Sequence, residues 1–187
     1  MLSIYILIIV IIIIGLLISY LILTHNKLIN LENEIKKEYL NIDINLKKRS
    51  DLIPNLVDVV NKHMKHEKEL LTKLVETRNK VIEAKTEQEI INYDHELSKL
   101  LKNVLLIAEN HPNLKLSSNF LQLQNELLNV EESLLSARKK YNQSILDYDN
   151  KNKLFPIKLF TTLLGLKKYE YFKISNEEKE ISETNSN

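Results

Sequence analysis

FLQLQNELLNVEESLLSARKKYNQSILDY, residues 120–148, is the stretch that decides what kind of fold this chain adopts. Phe120, Leu123, Leu127, Val130, Leu134, Ala137, Tyr141, Ser144 and Tyr148 recur in alternating steps of three and four, the a and d positions of four successive heptads. The pattern predicts one helix about 43 Å long at ~1.5 Å per residue, which only other long helices can cover. Ser117 or Ser118 stands where a cap is needed.

Working upstream, a second stripe runs Ile90, Tyr93, Leu97, Leu100, Val104 and Ile107, and it stops before Pro112. Its start, Thr86-Glu87-Gln88-Glu89, has the form of a capping box. Before it, Leu56, Val60, Met64, Glu67, Leu71, Leu74, Arg78 and Val81 form a stripe with an imperfectly apolar middle. Almost no loop separates these two stripes, so a very tight turn near Ala84 and Lys85, or partial continuity, is expected. Further upstream lie Leu28, Leu31, Ile35, Tyr39, Ile42 and Leu46. The charged run Lys47-Lys48-Arg49-Ser50-Asp51 then meets Pro54, which predicts a kink or break with Asp51 as the cap of the next helix. Downstream, a short helix is expected from Pro156 to Leu164, followed by an acidic end, Glu177-Glu178-Lys179-Glu180. An all-α, elongated antiparallel bundle of about four helices satisfies every stripe at once.

The first 26 residues hold no charged side chain, and 17 of the first 23 are Leu, Ile or Val. A helix of that length spans about 35 Å against a hydrocarbon core of ~30 Å, so an N-terminal transmembrane helix is predicted. A cleaved signal peptide would show a basic start, a shorter apolar stretch and a small-residue cleavage site, and none of the three is present. Ser19 rather than a second Gly stands four residues after Gly15, so the strict GxxxG pairing motif is not present. Lys27, Lys36 and Lys37 follow the segment, which by the positive-inside rule favours a short N-terminus outside and the remainder in the cytoplasm. The expected division is therefore an anchor at 1–26, the bundle at 27–155, and a short amphipathic helix with an acidic, disordered tail at 156–187.

Composition narrows the function classes. All 26 basic and 25 acidic residues lie beyond the anchor, so the remainder is nearly neutral. Nucleic-acid binding, which calls for a basic face interleaved with stacking aromatics, is not expected of a chain without Trp. The absence of Cys excludes disulfides, thiolate metal sites and thiol catalysis. Two Gly and three Pro leave no phosphate loop, dinucleotide fingerprint or hairpin turn.

The densest cluster of chemically able residues is Lys62-His63-Met64-Lys65-His66-Glu67. On a continuous helix His63, His66 and Glu67 would share a face at metal-ligand spacing, but the order matches neither His-Glu-x-x-His nor its inverse. Glu-x-x-His, the di-iron signature, is absent, as is Gly-x-Ser-x-Gly. A solvated charged face is the plainer reading, with a metal-binding protein or metal-dependent enzyme as the alternative. No catalytic, cofactor or metal residue is assigned, and enzyme activity is not expected. A second alternative is membrane-surface binding or shaping by residues 156–168, where Ile157, Phe160, Leu163 and Leu164 share one side of a helix flanked by lysines. Its rival is a cap over the open end of the bundle.

The stretch from Asn45 to Val57, with His66-Glu67-Lys68-Glu69-Leu70-Leu71, resembles the LemA family of bacterial membrane proteins. Later blocks are similar in the same order: Ala108 to Lys115, Asn119 to Leu127, Ala137 to Asn142, and Phe155-Pro156 with Gly165. The chain departs at Asn41 and Asp43, around Ile42, where many relatives carry Ala-Trp. The resemblance implies an N-terminal anchor and a long antiparallel bundle of the bacterial cell envelope, with no established catalytic residues or cofactor. The expected function is a single-pass, membrane-anchored, non-enzymatic interaction or scaffold protein with an unidentified protein partner and possible self-association.

Overall fold

A computed structural model describes residues 2–63, 66–154, 157–158 and 167–172. These residues form five helices and no strand: α1 (Leu2–Asn61), α2 (Lys68–Glu83), α3 (Glu87–Glu109), the single turn α4 (Pro112–Lys115) and α5 (Ser118–Lys153). The helical bundle predicted from the stripes is the observed fold. The chain groups into two compact units, residues 1–39 with 140–171 and residues 40–139 with 172–187.

In the unit built on residues 40–139, the core is made by stripe residues. Ile53, Leu56 and Val60 of α1 meet Leu71 and Leu74 of α2, Leu97, Leu101 and Val104 of α3, and Phe120 and Leu127 of α5. Burying one such side chain contributes about 1.5–3 kcal/mol, which is how modest helix propensities become fixed helices. Helices α2 and α3 form an antiparallel hairpin: Lys80 lies 5.8 Å from the Tyr93 ring, and Lys73 pairs with Glu96 at 3.5 Å. The turn between them is as tight as predicted, and the capping box is complete. Glu89 N donates to Thr86 Oγ1 at 3.2 Å, while Thr86 N donates back to Glu89 Oε2 at 3.2 Å. The backbone N–H groups of Lys85 and Thr86 hold the Glu89 carboxyl below the usual carboxylate range.

In the unit that includes residues 1–39 and 140–171, α1 and the end of α5 run antiparallel. Tyr39 and Tyr141 have ring centroids 5.9 Å apart, and Tyr148 donates to Glu32 Oε1 at 3.3 Å. The covered face of α1 begins at Leu28, where the first stripe was read, and continues through Ile35. Upstream the aliphatic side chains from Ile4 to Ile18 are exposed, Ile8 and Leu16 among them, so this is a candidate membrane span. Along α5, all nine stripe residues are buried except Leu123 and Val130, which are half-buried.

Two boundary expectations are overturned: a break at Pro54 with Asp51 as a cap, and one helix spanning the Leu56–Val81 stripe. Helix α1 passes through Pro54 without ending, and Asp51 is an exposed interior residue of that helix rather than a cap. The helix persists because Arg49, Ile53, Leu56 and Val60 are all buried on one face across the proline, and packing on both sides outweighs one missing backbone bond. The break falls instead between Asn61, where α1 ends, and Lys68, where α2 begins, within the Leu56–Val81 stripe that had been read as one helix. There Lys62, His63, Lys65 and His66 leave the stripe short of apolar residues, and the chain turns back toward the core through α2. The helix expected from Pro156 to Leu164 lies outside the described residues except for Ile157 and Lys158, which are helical, and the acidic end lies outside them entirely.

Candidate functional site

Among the charged residues that the sequence places inside the stripes, folding brings three together. Arg49 stands three residues after Leu46 and four before Ile53, Asp94 three before Leu97, and Arg138 four after Leu134 and three before Tyr141. Helical geometry therefore carries each onto the buried face of α1, α3 or α5. Arg49 is fully buried, and Asp94 and Arg138 are buried with it.

Asp94 bridges the two guanidiniums. Its Oδ1 pairs with Arg49 Nη2 and its Oδ2 with Arg138 Nη2. Arg49 Nη1 also donates to Ser98 Oγ at 2.8 Å and to Glu131 Oε2 at 3.0 Å, and Ser98 Oγ lies 3.4 Å from Glu131 Oε1. Two cations face two carboxylates, so the formal charge of the cluster balances. Glu131 is half-buried and forms the solvent side of the group. Taking such ions out of water costs several kcal/mol each, so the network adds little net stability over an apolar core while penalising any packing that separates its members. Its members tie α1, α3 and α5 to one another.

A second polar contact explains how α1 tolerates its proline. Pro54 has no N–H, so the carbonyl one turn earlier, that of Ser50, loses its helical donor. Arg78 of α2 supplies the replacement, its Nε donating to the Ser50 carbonyl oxygen at 3.1 Å. Arg78, which interrupted the α2 stripe in sequence, is thus the residue that repairs the neighbouring helix.

The histidine cluster is not assembled as the spacing suggested. His63 and His66 both lie in the exposed connection between α1 and α2, and Glu67 is the half-buried residue preceding α2. His63 Nδ1 sits 3.2 Å from the Val59 carbonyl oxygen. Because residues 62, 63, 66 and 67 are not helical, His63, His66 and Glu67 do not share a helical face. Among the described residues no group of three or more His, Cys, Asp or Glu is placed to hold a metal ion.

Arg49 and Arg138 both fall in the blocks of family resemblance, yet periodicity alone would have found them: a charge on an otherwise apolar stripe is the signal. Asp94 carries the same signal in a block without that resemblance. The sequence profile of the LemA family matches residues 38–185, a stretch that contains the whole of this cluster. No curated protein matches the chain.

Proposed function

Because the chain belongs to the LemA family, we propose that it is a single-pass, membrane-anchored, non-enzymatic interaction or scaffold protein of the bacterial cell envelope. The observation that supports this reading is a contrast within one helix. The uncharged part of α1 leaves its aliphatic side chains bare, whereas the part from Leu28 onward buries its stripe. Bare aliphatic surface of that length is at rest in hydrocarbon and costly in water. The Arg49–Asp94–Arg138 group, balanced in charge by Glu131, supports a rigid presenting body, since it ties three helices to one another. On the lysine bias after the anchor, the short N-terminus lies outside and the bundle in the cytoplasm.

Crosslinking of the full chain in its native membrane, followed by mass spectrometry, is expected to recover the same discrete partner in repeated experiments. Recovery of only unrelated membrane neighbours would overturn the scaffold role. A reporter fused to the C-terminus is expected to be active in the cytoplasm, and activity only on the outer side would reverse the orientation.

A further inference from the structure

The antiparallel pairing of α1 and α5 sets a level. Between the Tyr39–Tyr141 contact and the Glu32–Tyr148 hydrogen bond, a step of seven residues back along α1 is matched by seven forward along α5. One further step of five brings Lys153, the last residue of α5, level with Lys27, the first charged residue after the uncharged segment. Helix α5 therefore ends where the candidate membrane span begins.

The residues gathered at that end are basic. From Lys151 to Tyr169 the sequence holds Lys151, Lys153, Lys158, Lys167 and Lys168 and no Asp or Glu. Lys27, Lys153, Lys158, Lys167 and Lys168 are exposed, and Lys151 is half-buried. The two terminal lysines of α5 also suit the negative end of its helix dipole, which accounts for their position but not for the other four. Residues 167–171 are tied back to the same end of α5: the Tyr169 ring meets Tyr148 edge-on at 5.5 Å, Lys167 Nζ lies 5.6 Å from the Tyr169 ring, and Tyr171 donates to Asp149 at 3.1 Å. The nearest acids are Glu170, exposed two residues after Lys168, and Asp149, Glu32 and Asp147 close to the level of Tyr148, so six lysines stand against four carboxylates at this end.

We propose that Lys27, Lys151, Lys153, Lys158, Lys167 and Lys168 form a basic collar at the end of the anchor that binds the anionic headgroups of phospholipids. The inference rests on the membrane-anchored reading above. A lysine cluster immediately beside a span meets the negative surface potential of the bilayer, and each lysine at the surface adds about a five-fold preference for that surface. The shared chemistry is a phosphate-bearing anion, and the level of the collar selects the lipid-borne form.

The test reconstitutes the full chain into vesicles of phosphatidylcholine alone or mixed with phosphatidylglycerol, and reads the motional restriction of spin-labelled lipids of each type. Restricted phosphatidylglycerol is expected to exceed phosphatidylcholine by at least about five-fold, the weight of one engaged lysine. The excess is expected to fall as ionic strength rises. Replacing Lys151, Lys153, Lys158, Lys167 and Lys168 with Gln is expected to reduce the preference to at most about five-fold, the weight of the remaining Lys27, while the same replacement at Lys47, Lys48, Lys102, Lys115 and Lys139 leaves it unchanged. Equal restriction of both lipids by the wild-type chain overturns the collar, as does equal loss in the two lysine sets. Loss of the preference on adding inorganic phosphate, beyond what chloride does at matched ionic strength, also overturns it in favour of a soluble-phosphate site. Failure of the chain to resist alkaline extraction from phosphatidylcholine vesicles overturns the anchor itself, and the collar with it.

Discussion

Arg49 has no exposed surface and holds Asp94, Ser98 and Glu131, so what happens on its removal depends on what is left behind. Arg49→Ala takes one of two cations from buried Asp94 and leaves one side of Glu131 facing an empty site, and the expected cost is about 3–5 kcal/mol. The triple change Arg49→Met, Asp94→Leu, Arg138→Met removes the buried charges together, and it is expected to unfold at a urea concentration close to that of the wild type. Urea titration of the wild type and both variants checks this, and a triple variant as unstable as Arg49→Ala would show that the network contributes stability rather than register. Arg78 offers a second residue-scale test. Arg78→Met should cost about 1 kcal/mol by freeing the Ser50 carbonyl, and markedly less in a Pro54→Ala background, where the helix provides that carbonyl with its own N–H donor. A double-mutant cycle with no coupling would sink the account of how α1 passes its proline.

Among the elements, the α2–α3 turn depends on the Thr86 and Glu89 cap more than on any glycine, since residues 84–86 supply none. Thr86→Ala is expected to lower stability by about 1 kcal/mol. The ionised Glu89 is the form that accepts the Lys85 and Thr86 N–H bonds, so its folded value lies below its unfolded one. The stability it contributes is therefore present above the ordinary carboxylate range and lost as pH falls through the depressed value. Glu89→Gln is expected to flatten that part of the acid limb in urea titrations run between neutral and strongly acidic pH. An unchanged acid limb would assign it to other carboxylates. Helix α1 is the other element whose limits were set by its neighbours. Its stripe was readable from Leu28, yet its end at Asn61 was not, because neither Gly nor Pro marks that turn and the one proline present is absorbed by packing.

At the scale of the whole molecule, the uncharged opening segment governs where the protein resides. Ile11→Lys with Ile13→Lys places two charges near the middle of the candidate span, each opposing insertion by about 2.5–3.5 kcal/mol. Membrane fractions extracted with alkali are expected to retain the wild type and release the variant, and equal retention would remove this segment as the anchor. The two units differ in what fastens them. The one around residues 40–139 combines a continuous apolar core with the buried charge cluster, whereas the one containing residues 1–39 buries Leu28, Ile35 and Ile145 beside tyrosine contacts among Tyr39, Tyr141, Tyr148 and Tyr169. Burial pushes the Tyr148 hydroxyl up to about 12, with the nearby Glu32 carboxylate adding to the effect.

By itself the sequence determined the helical class, the antiparallel bundle, the uncharged N-terminal segment, the phase of each stripe, and the Thr86 cap. Each of these is local or periodic: a spacing of three and four, a run without charge, a cap one turn from its partner. Only the tertiary structure decided that Pro54 lies inside a helix, that His63 and His66 lie in a turn, and that Arg49, Asp94 and Arg138 meet. Those outcomes depend on partners tens of residues away, where Arg78 reaches Ser50 and Asp94 reaches both arginines. Periodicity assigns a residue to a face. What stands opposite that face is settled only when the helices pack.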